Sequence, residues 1–372
     1  MRPVFLLSLL LMTLATSSAR ELFVYVGTYT KTSKGIYVGR FDTETGKLGD
    51  LTLAAEAANP SFLALSPDRR FLYAVSEGAG ATFNGKPSGT VLAYAVNADT
   101  GVLTLINSAA SAGRGPCHLT VTPDGKAVLV ANYSEGTVAL LPVQPDGGVG
   151  APASFDQHAG KSIHPSRQKG PYAHSINTTA DGRFAFAADL GTDKIYTYRV
   201  DTAAATLTPT SAFELPPGSG PRHLALSSDN RHAYVINELS NTITTCALDP
   251  QTGVLTALQT VSTLPADFTT GTTAEIVVHP SGRFVYGSNR GHDSIATFTV
   301  DPVTATLTPA GHVSTQGRTP RNFSLSPDGR WLIAANQDGN SLVIYSIDAK
   351  SGVPSPTGQT LSLGAPVCVR FY

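Results

Sequence analysis

Arg222 and Glu238 bracket one short stretch of the chain, GPRHLALSSDNRHAYVINELSN, which runs from Gly220 to Asn241. A guanidinium can grip a carboxylate or a phosphate through parallel N–H bonds, and an ionised carboxylate in a cleft can take a proton from water. The two residues lie eight positions to either side of Asn230. A hairpin turning there returns both to one end, beside each other and beside any bound molecule.

The same places recur along the chain with other chemistry in them. Seven residues before the turn residue stand Ser61, Cys117, His174, Arg222, Ala274 and Arg321. Nine residues after it stand Glu77, Tyr133, Leu190, Glu238, Arg290 and Gln337, with Tyr29 in the matching place near the N-terminus. His174, Arg222, Glu238, Arg290 and Arg321 are thus expected to converge. Three arginines around a lone carboxylate point to an anionic substrate. One position earlier the chain carries Ser76, Asn132, Asp189, Asn237, Asn289 and Asn336. These are expected to cap loops through side-chain hydrogen bonds, with Asn336 also placed to assist Arg321 in substrate binding. Arg167, in a long polar loop, is a further binding candidate. A structural ion pair is the alternative for Arg222 and Glu238. His118 and His223 fall one register away and read as satisfied core histidines. His158 and His164 lack a carboxylate cluster or close histidine spacing, so no metal site and no cofactor is expected.

The elements that must hold these residues are repeated hairpins. They begin PSFLALSPDRRFLYAVSE at Pro60, PCHLTVTPDGKAVLVANY at Pro116, AHSINTTADGRFAFAADL at Ala173, PRHLALSSDNRHAYVINE at Pro221, TAEIVVHPSGRFVYGSNR at Thr273 and PRNFSLSPDGRWLIAANQ at Pro320. Each turns at Asp68, Asp124, Asp181, Asp229, Ser281 or Asp328. Segments such as SPDG and TPDG favour that turn because Pro presets φ, Asp caps and Gly accepts positive φ. A third strand and a second turn (DTETGKL, NADTGVL, DPQTGVL, DPVTATL and weaker copies) follow each hairpin. The later turn occurs seven times and the earlier hairpin six. The segment LFVYVGTYTKTSKGIYVGRFD enters at a second strand, and APVCVRFY, from Ala365, supplies a lone first strand. Together the two ends complete one unit. The expected fold is therefore all-β, a seven-bladed β-propeller of four-stranded antiparallel blades, with one blade closed by strands from both termini. Closure removes the free sheet edges that an open stack would leave. First strands lie innermost, so the listed positions face one mouth. The rhythm breaks at the 144–171 loop, which leads directly to His174.

Composition agrees with a turn-rich β protein: Gly, Pro, Val and Thr are frequent and Met and Trp rare. The formal net charge of −1 offers nothing to nucleic acid or an anionic membrane. Arg2, the apolar run Val4 to Leu14 and the small residues Ser17, Ser18 and Ala19 form a secretory signal pattern. Residues 1–19 are expected to be a signal peptide cleaved near Ala19. Residues 20–372 then form a single domain that works in the periplasm or outside the cell, free of the membrane. Cys117, Cys246 and Cys368 fit no zinc spacing and read as buried small residues, with one disulfide as the alternative.

The strings HPSRQKGPYAHSIN, GPRHLAL, YVINELSNTI, SNRGHDSI and SPDGRWLIAANQDGNS resemble the lactonase family of seven-bladed propellers. That family includes the bacterial propeller-type 6-phosphogluconolactonases and is similar to the fungal 3-carboxymuconate lactonising enzymes. The resemblance covers essentially all of the chain after residue 19. In the lactonising relatives a histidine, a glutamate and two arginines form the site; by motif position these fall on His174, Glu238, Arg222 and Arg290. The chain departs from the family pattern at Lys169 and Tyr172. The resemblance implies a metal-independent lactonase acting on a small anionic or polyhydroxylated lactone, 6-phosphogluconolactone or an unphosphorylated aldonolactone. Glu238 would act as base on water and Arg222 and Arg290 would hold negative charge. His174 would protonate the departing ring oxygen, and Arg321, Asn336 and Arg167 would bind the substrate. A muconate-type cycloisomerase and a non-catalytic exported binding module are the rival expectations. In the binding module the charges at the mouth would pair off among themselves.

Overall fold

The computed structural model describes residues 21–372, so the expected signal peptide lies outside the described residues. Those residues form seven antiparallel sheets. Pro366–Phe371 pairs with Glu21–Thr28, which pairs with Gly35–Asp42, so the last strand of the chain completes the first blade. The outer edge of that blade is broken into Lys47–Leu48 and Thr52–Glu56. Six further four-stranded blades follow in chain order, and blade 5 is representative: Pro221–Leu226, His232–Asn237, Thr242–Leu248 and Leu255–Ser262. The first strand of each blade packs on the first strand of the next, and the ring closes where Pro366–Phe371 meets Leu63–Leu65.

The turn chemistry is repeated almost without change. The hydroxyls of Ser66, Thr122, Thr179, Ser227 and Ser326 donate to the aspartate two residues on at 2.6–2.7 Å. Each aspartate in turn accepts the backbone N–H two residues further on. Blades are also pinned to one another. The hydroxyls of Tyr25, Tyr73, Tyr234 and Tyr286 donate to carbonyls in the outer turn of the next blade, at Gly101, Gly147, Ala305 and Gly352. At the seam the same task falls to Trp331, whose indole N–H donates to the Thr43 carbonyl at 2.9 Å. Each such bond contributes about 1 kcal/mol. Apolar clusters fill the space between neighbouring blades, as where Phe184 and Phe186 of blade 4 meet Leu224 and Val235 of blade 5.

Candidate active site

One irregularity aims the inner side chains. In blades 3, 4, 5 and 7 the pairing of first and second strands slips by one residue near its start, and the extra residue is Cys117, His174, Arg222 or Arg321. A β-bulge re-aims a side chain that a regular ladder would hold across the sheet. In blade 6 Ala274 and Glu275 together face Ser288, whose hydroxyl accepts the Glu275 N–H at 2.9 Å. Tyr29, Glu77, Tyr133, Glu238 and Arg290 arrive at the same mouth from second strands, and together they enclose a cavity of about 300 Å³. Arg167, His174 and Arg321 complete its polar wall.

Glu238 is the hub. Its Oε1 lies 2.6 Å from Arg167 Nη2, and its Oε2 lies 3.0 Å from both Arg222 Nε and Arg290 Nη2. Its side chain is 3% exposed. Burial alone would raise its pKa, but Arg290, Arg222 and Arg167 outweigh burial and hold the carboxyl at about 2. It is therefore ionised at neutral pH, and a weak base while all three cations stay in place. Arg290 also donates to the Thr273 carbonyl at 2.6 Å. Arg222 sits behind Glu238 with its side chain 2% exposed and does not form part of the cavity wall. Its contact is therefore with the carboxylate and not with the space a substrate would fill.

Arg321 differs from the other three arginines. It lies over the Tyr29 ring at 5.4 Å from the centroid, and among the described residues no carboxylate comes within ion-pair distance of it. Nearby Glu77 is engaged instead by the Tyr29 hydroxyl at 3.1 Å and by the Ser61 hydroxyl. Four guanidiniums (Arg167, Arg222, Arg290, Arg321) thus surround two carboxylates (Glu77, Glu238), an excess of positive charge at the mouth. The charges of the mouth do not pair off completely, as a purely structural arrangement would have them do. His174 is buried, with Cys117 Sγ 3.8 Å from its Nδ1 and the Tyr133 ring set edge-on at 5.2 Å. Burial, then Arg222, His223 and Arg321, hold His174 neutral by lowering its pKa well below the usual histidine value. In that state it can offer a hydrogen bond to a bound molecule. Burial pushes the Cys117 thiol up to about 12, so it is not a nucleophile at neutral pH.

The long loop supplies Arg167, and its anchors explain how. His158 is buried, with Nδ1 2.6 Å from Asp189 Oδ2 and Nε2 2.8 Å from the Tyr198 hydroxyl. Gln168, also buried, donates to the Leu190 carbonyl at 2.9 Å and to Asp193 at 2.8 Å. Its own side-chain oxygen accepts the His164 N–H at 3.0 Å. Between these anchors the arm is held against blade 4, and Arg167 reaches across to Glu238 and to the Tyr133 hydroxyl at 3.2 Å. Tyr133 stacks on Tyr172 at 4.9 Å.

The structure therefore brings together His174, Arg222, Glu238, Arg290, Arg321 and Arg167. Asn336 stands apart. Its amide donates to the Thr315 carbonyl at 2.9 Å and to Ser341 at 3.3 Å, it is fully buried, and it does not line the cavity. Asn132 and Asn289 make the matching pair of bonds in their blades, so Asn336 belongs to that loop-capping set. Two cavity residues, Tyr29 and Glu77, occupy the repeating register without having been singled out for substrate. No group of acidic, histidine or cysteine side chains able to hold a metal occurs among the described residues, and all three cysteines are free and buried.

Residues 23–371 match the family model described as Lactonase, 7-bladed beta-propeller. The chain is 38% identical over 349 residues to a 6-phosphogluconolactonase of Bacillus subtilis, covering 93% of this chain and 97% of the relative. It is 33% identical over 309 residues to a 6-phosphogluconolactonase of Formosa agariphila, covering 81% and 86%. Among solved structures, the periplasmic gluconolactonase of Pseudomonas aeruginosa superposes with a TM-score of 0.87 at 34% identity, covering 95% of this chain and 99% of that one.

Proposed function

The chain belongs to the lactonase family of seven-bladed β-propellers, and on that premise we propose that its mouth hydrolyses the ring ester of a sugar-acid lactone bearing an anionic group. The observation that carries the choice of an anionic substrate is Arg321, a cation on the cavity wall with no carboxylate partner among the described residues. A phosphate or carboxylate on the lactone supplies the missing charge. Arg167, the most exposed of the three arginines on Glu238, can leave it for the same anion. Its departure frees Glu238 Oε1 and raises the basicity of the carboxylate.

Water then adds to the lactone carbonyl while its proton passes to Glu238. Arg290, on the cavity wall, faces the oxyanion that develops. The tetrahedral species collapses with loss of the ring C–O bond, and Glu238 returns the proton to the departing oxygen, leaving a hydroxy acid. His174, held neutral, is a hydrogen-bond partner for that oxygen. Arg222 keeps Glu238 in place from behind. The signal pattern of residues 1–19, together with the likeness to a periplasmic gluconolactonase, supports work in the periplasm.

The test is a lactone panel with the purified chain, comparing 6-phosphogluconolactone with unphosphorylated gluconolactone. The expected result is a KM lower for the phosphorylated lactone by about tenfold or more, from charge-assisted bonds to Arg321 and Arg167. Equal KM values would remove the anionic reading.

A further inference from the structure

A second carboxylate, Glu275, lies behind the first and takes no part in the chemistry above. It is 6% exposed, and it sits in blade 6 at the register that His223 occupies in blade 5 and Asn322 in blade 7. The partners of these residues form one continuous hydrogen-bond chain. Arg222 Nη1 lies 3.1 Å from His223 Nε2, and it also donates to the Ala274 carbonyl at 2.8 Å. A guanidinium has no acceptor, so His223 Nε2 must carry the lone pair and Nδ1 the proton. That Nδ1–H points at Glu275 Oε1 at 2.8 Å. Glu275 Oε1 also accepts the Ile276 N–H at 3.0 Å, and Oε2 accepts from the Asn322 amide. Asn322 in turn accepts the Val369 N–H at 2.8 Å, in the strand that closes the ring.

Three donors, His223 Nδ1–H, the Ile276 N–H and the Asn322 amide, converge on position 275, and the pattern closes only with an acceptor-only group there. Burial would protonate Glu275, but His223, Arg370 and Arg222 lower its pKa and keep it ionised. Burial holds His223 neutral, at about 4. The product of the arrangement is a fixed Arg222, whose Nε edge then meets Glu238 Oε2 at 3.0 Å.

We infer that Glu275 and His223 are positioning residues for the reaction: Glu275 sets the tautomer of His223, His223 holds Arg222, and Arg222 holds Glu238 at the reacting centre. This rests on the lactonase reading of the site, and the tests are chosen so that the two can fail separately. None of the three groups behind Glu238 touches the cavity, so substrate binding is spared and the chemical step is not.

The experiment compares Glu275→Leu, His223→Leu, the double variant and His223→Gln. Glu275→Leu and His223→Leu each lower kcat about 10- to 100-fold, with KM changed less than about 3-fold. The double variant is no worse than either single one, because both cut the same chain. His223→Gln offers Arg222 an oxygen and Glu275 an N–H, so it keeps kcat within about 3-fold of the wild type. Losses that multiply in the double variant overturn the inference, as does an unchanged kcat in Glu275→Leu or a His223→Gln as damaged as His223→Leu. If Glu275→Leu does not fold, the pair at His223 still decides. Nitrogen-15 spectra of the wild type give a readout that needs no turnover: a neutral, Nδ1-protonated His223 is expected, and the opposite tautomer overturns the proposal whatever the substrate.

Discussion

Replacing Glu238 by glutamine removes the negative charge that three guanidiniums share while nearly preserving shape. In the folded protein that carboxylate is 3% exposed and touches Arg167, Arg222 and Arg290 at 2.6, 3.0 and 3.0 Å. Arg222 cannot turn to water, since its side chain is only 2% exposed. Removing one partner of a buried ion pair costs about 3–5 kcal/mol because the remaining charge is left uncompensated. With an unfolding entropy of about 2.1 cal/mol/K per residue, a chain of this length loses roughly 4–7 °C of Tm. The effect has a definite pH signature. The Glu238 pKa is 4.5 for the free group and about 2 in the fold, so its stabilisation is complete above about pH 5 and is lost as pH falls through 2. The gap in Tm between wild type and Glu238→Gln should therefore be widest near neutrality and narrow towards pH 2–3. The variant also leaves the mouth more positive, so inorganic phosphate should raise its Tm more than that of the wild type. At a hundred times its Kd phosphate restores about 2.7 kcal/mol. The assay is calorimetry or thermal melting with and without phosphate. A variant that melts within about 1 °C of the wild type at pH 7 and responds equally to phosphate refutes this charge balance.

Other outcomes follow from the same geometry. Arg321→Gln should raise KM for a phosphorylated lactone about 10- to 100-fold and leave an uncharged lactone almost unaffected, as steady-state kinetics on the two substrates will show. Arg167→Gln takes one cation from Glu238 in the free enzyme, so the carboxylate becomes more basic there, and the acid limb of the pH–kcat/KM profile should move up by about 1 unit. Activity of the wild type should persist at pH 4–5, because Glu238 stays ionised down to about 2; a wild-type acid limb near 6 contradicts this. His158→Phe leaves Asp189 and Tyr198 without their shared partner. It should cost about 1–3 kcal/mol in denaturant melts and raise KM by loosening the arm that carries Arg167.

The repeat makes much of this legible in the sequence. Strand order, the closing blade and the convergence of His174, Arg222, Glu238, Arg290 and Arg321 follow from aligning the hairpins on their turns, since residues that the fold requires stay constant and the others change. Asn336 shows the limit of that subtraction. It sits in a column of repeat residues that tie loops together, and its neighbourhood to Arg321 in register does not bring its side chain to the cavity. Arg167 carries no repeat signal, because its place depends on where His158 and Gln168 anchor the arm against blade 4. Glu275 carries no signal of its own in the repeat. Alignment puts Ala274 in the column of Arg222 and Glu275 in the column of His223 and Asn322, and only the distances to those two side chains tie it into one polar chain. The protonation states of His174 and Glu238 were also beyond reach, since they depend on the distances among four arginines rather than on their presence.

The most direct measurement is the rate at which the purified chain opens 6-phosphogluconolactone and gluconolactone, followed by proton release against the spontaneous rate in the same buffer. Glu238→Gln is run beside it after its folding has been verified by melting. Wild-type turnover well above buffer is expected on at least the phosphorylated substrate, with Glu238→Gln reduced to near the spontaneous rate. Wild type and variant that both open the two lactones no faster than buffer, or a folded Glu238→Gln as active as the wild type, would contradict this expectation.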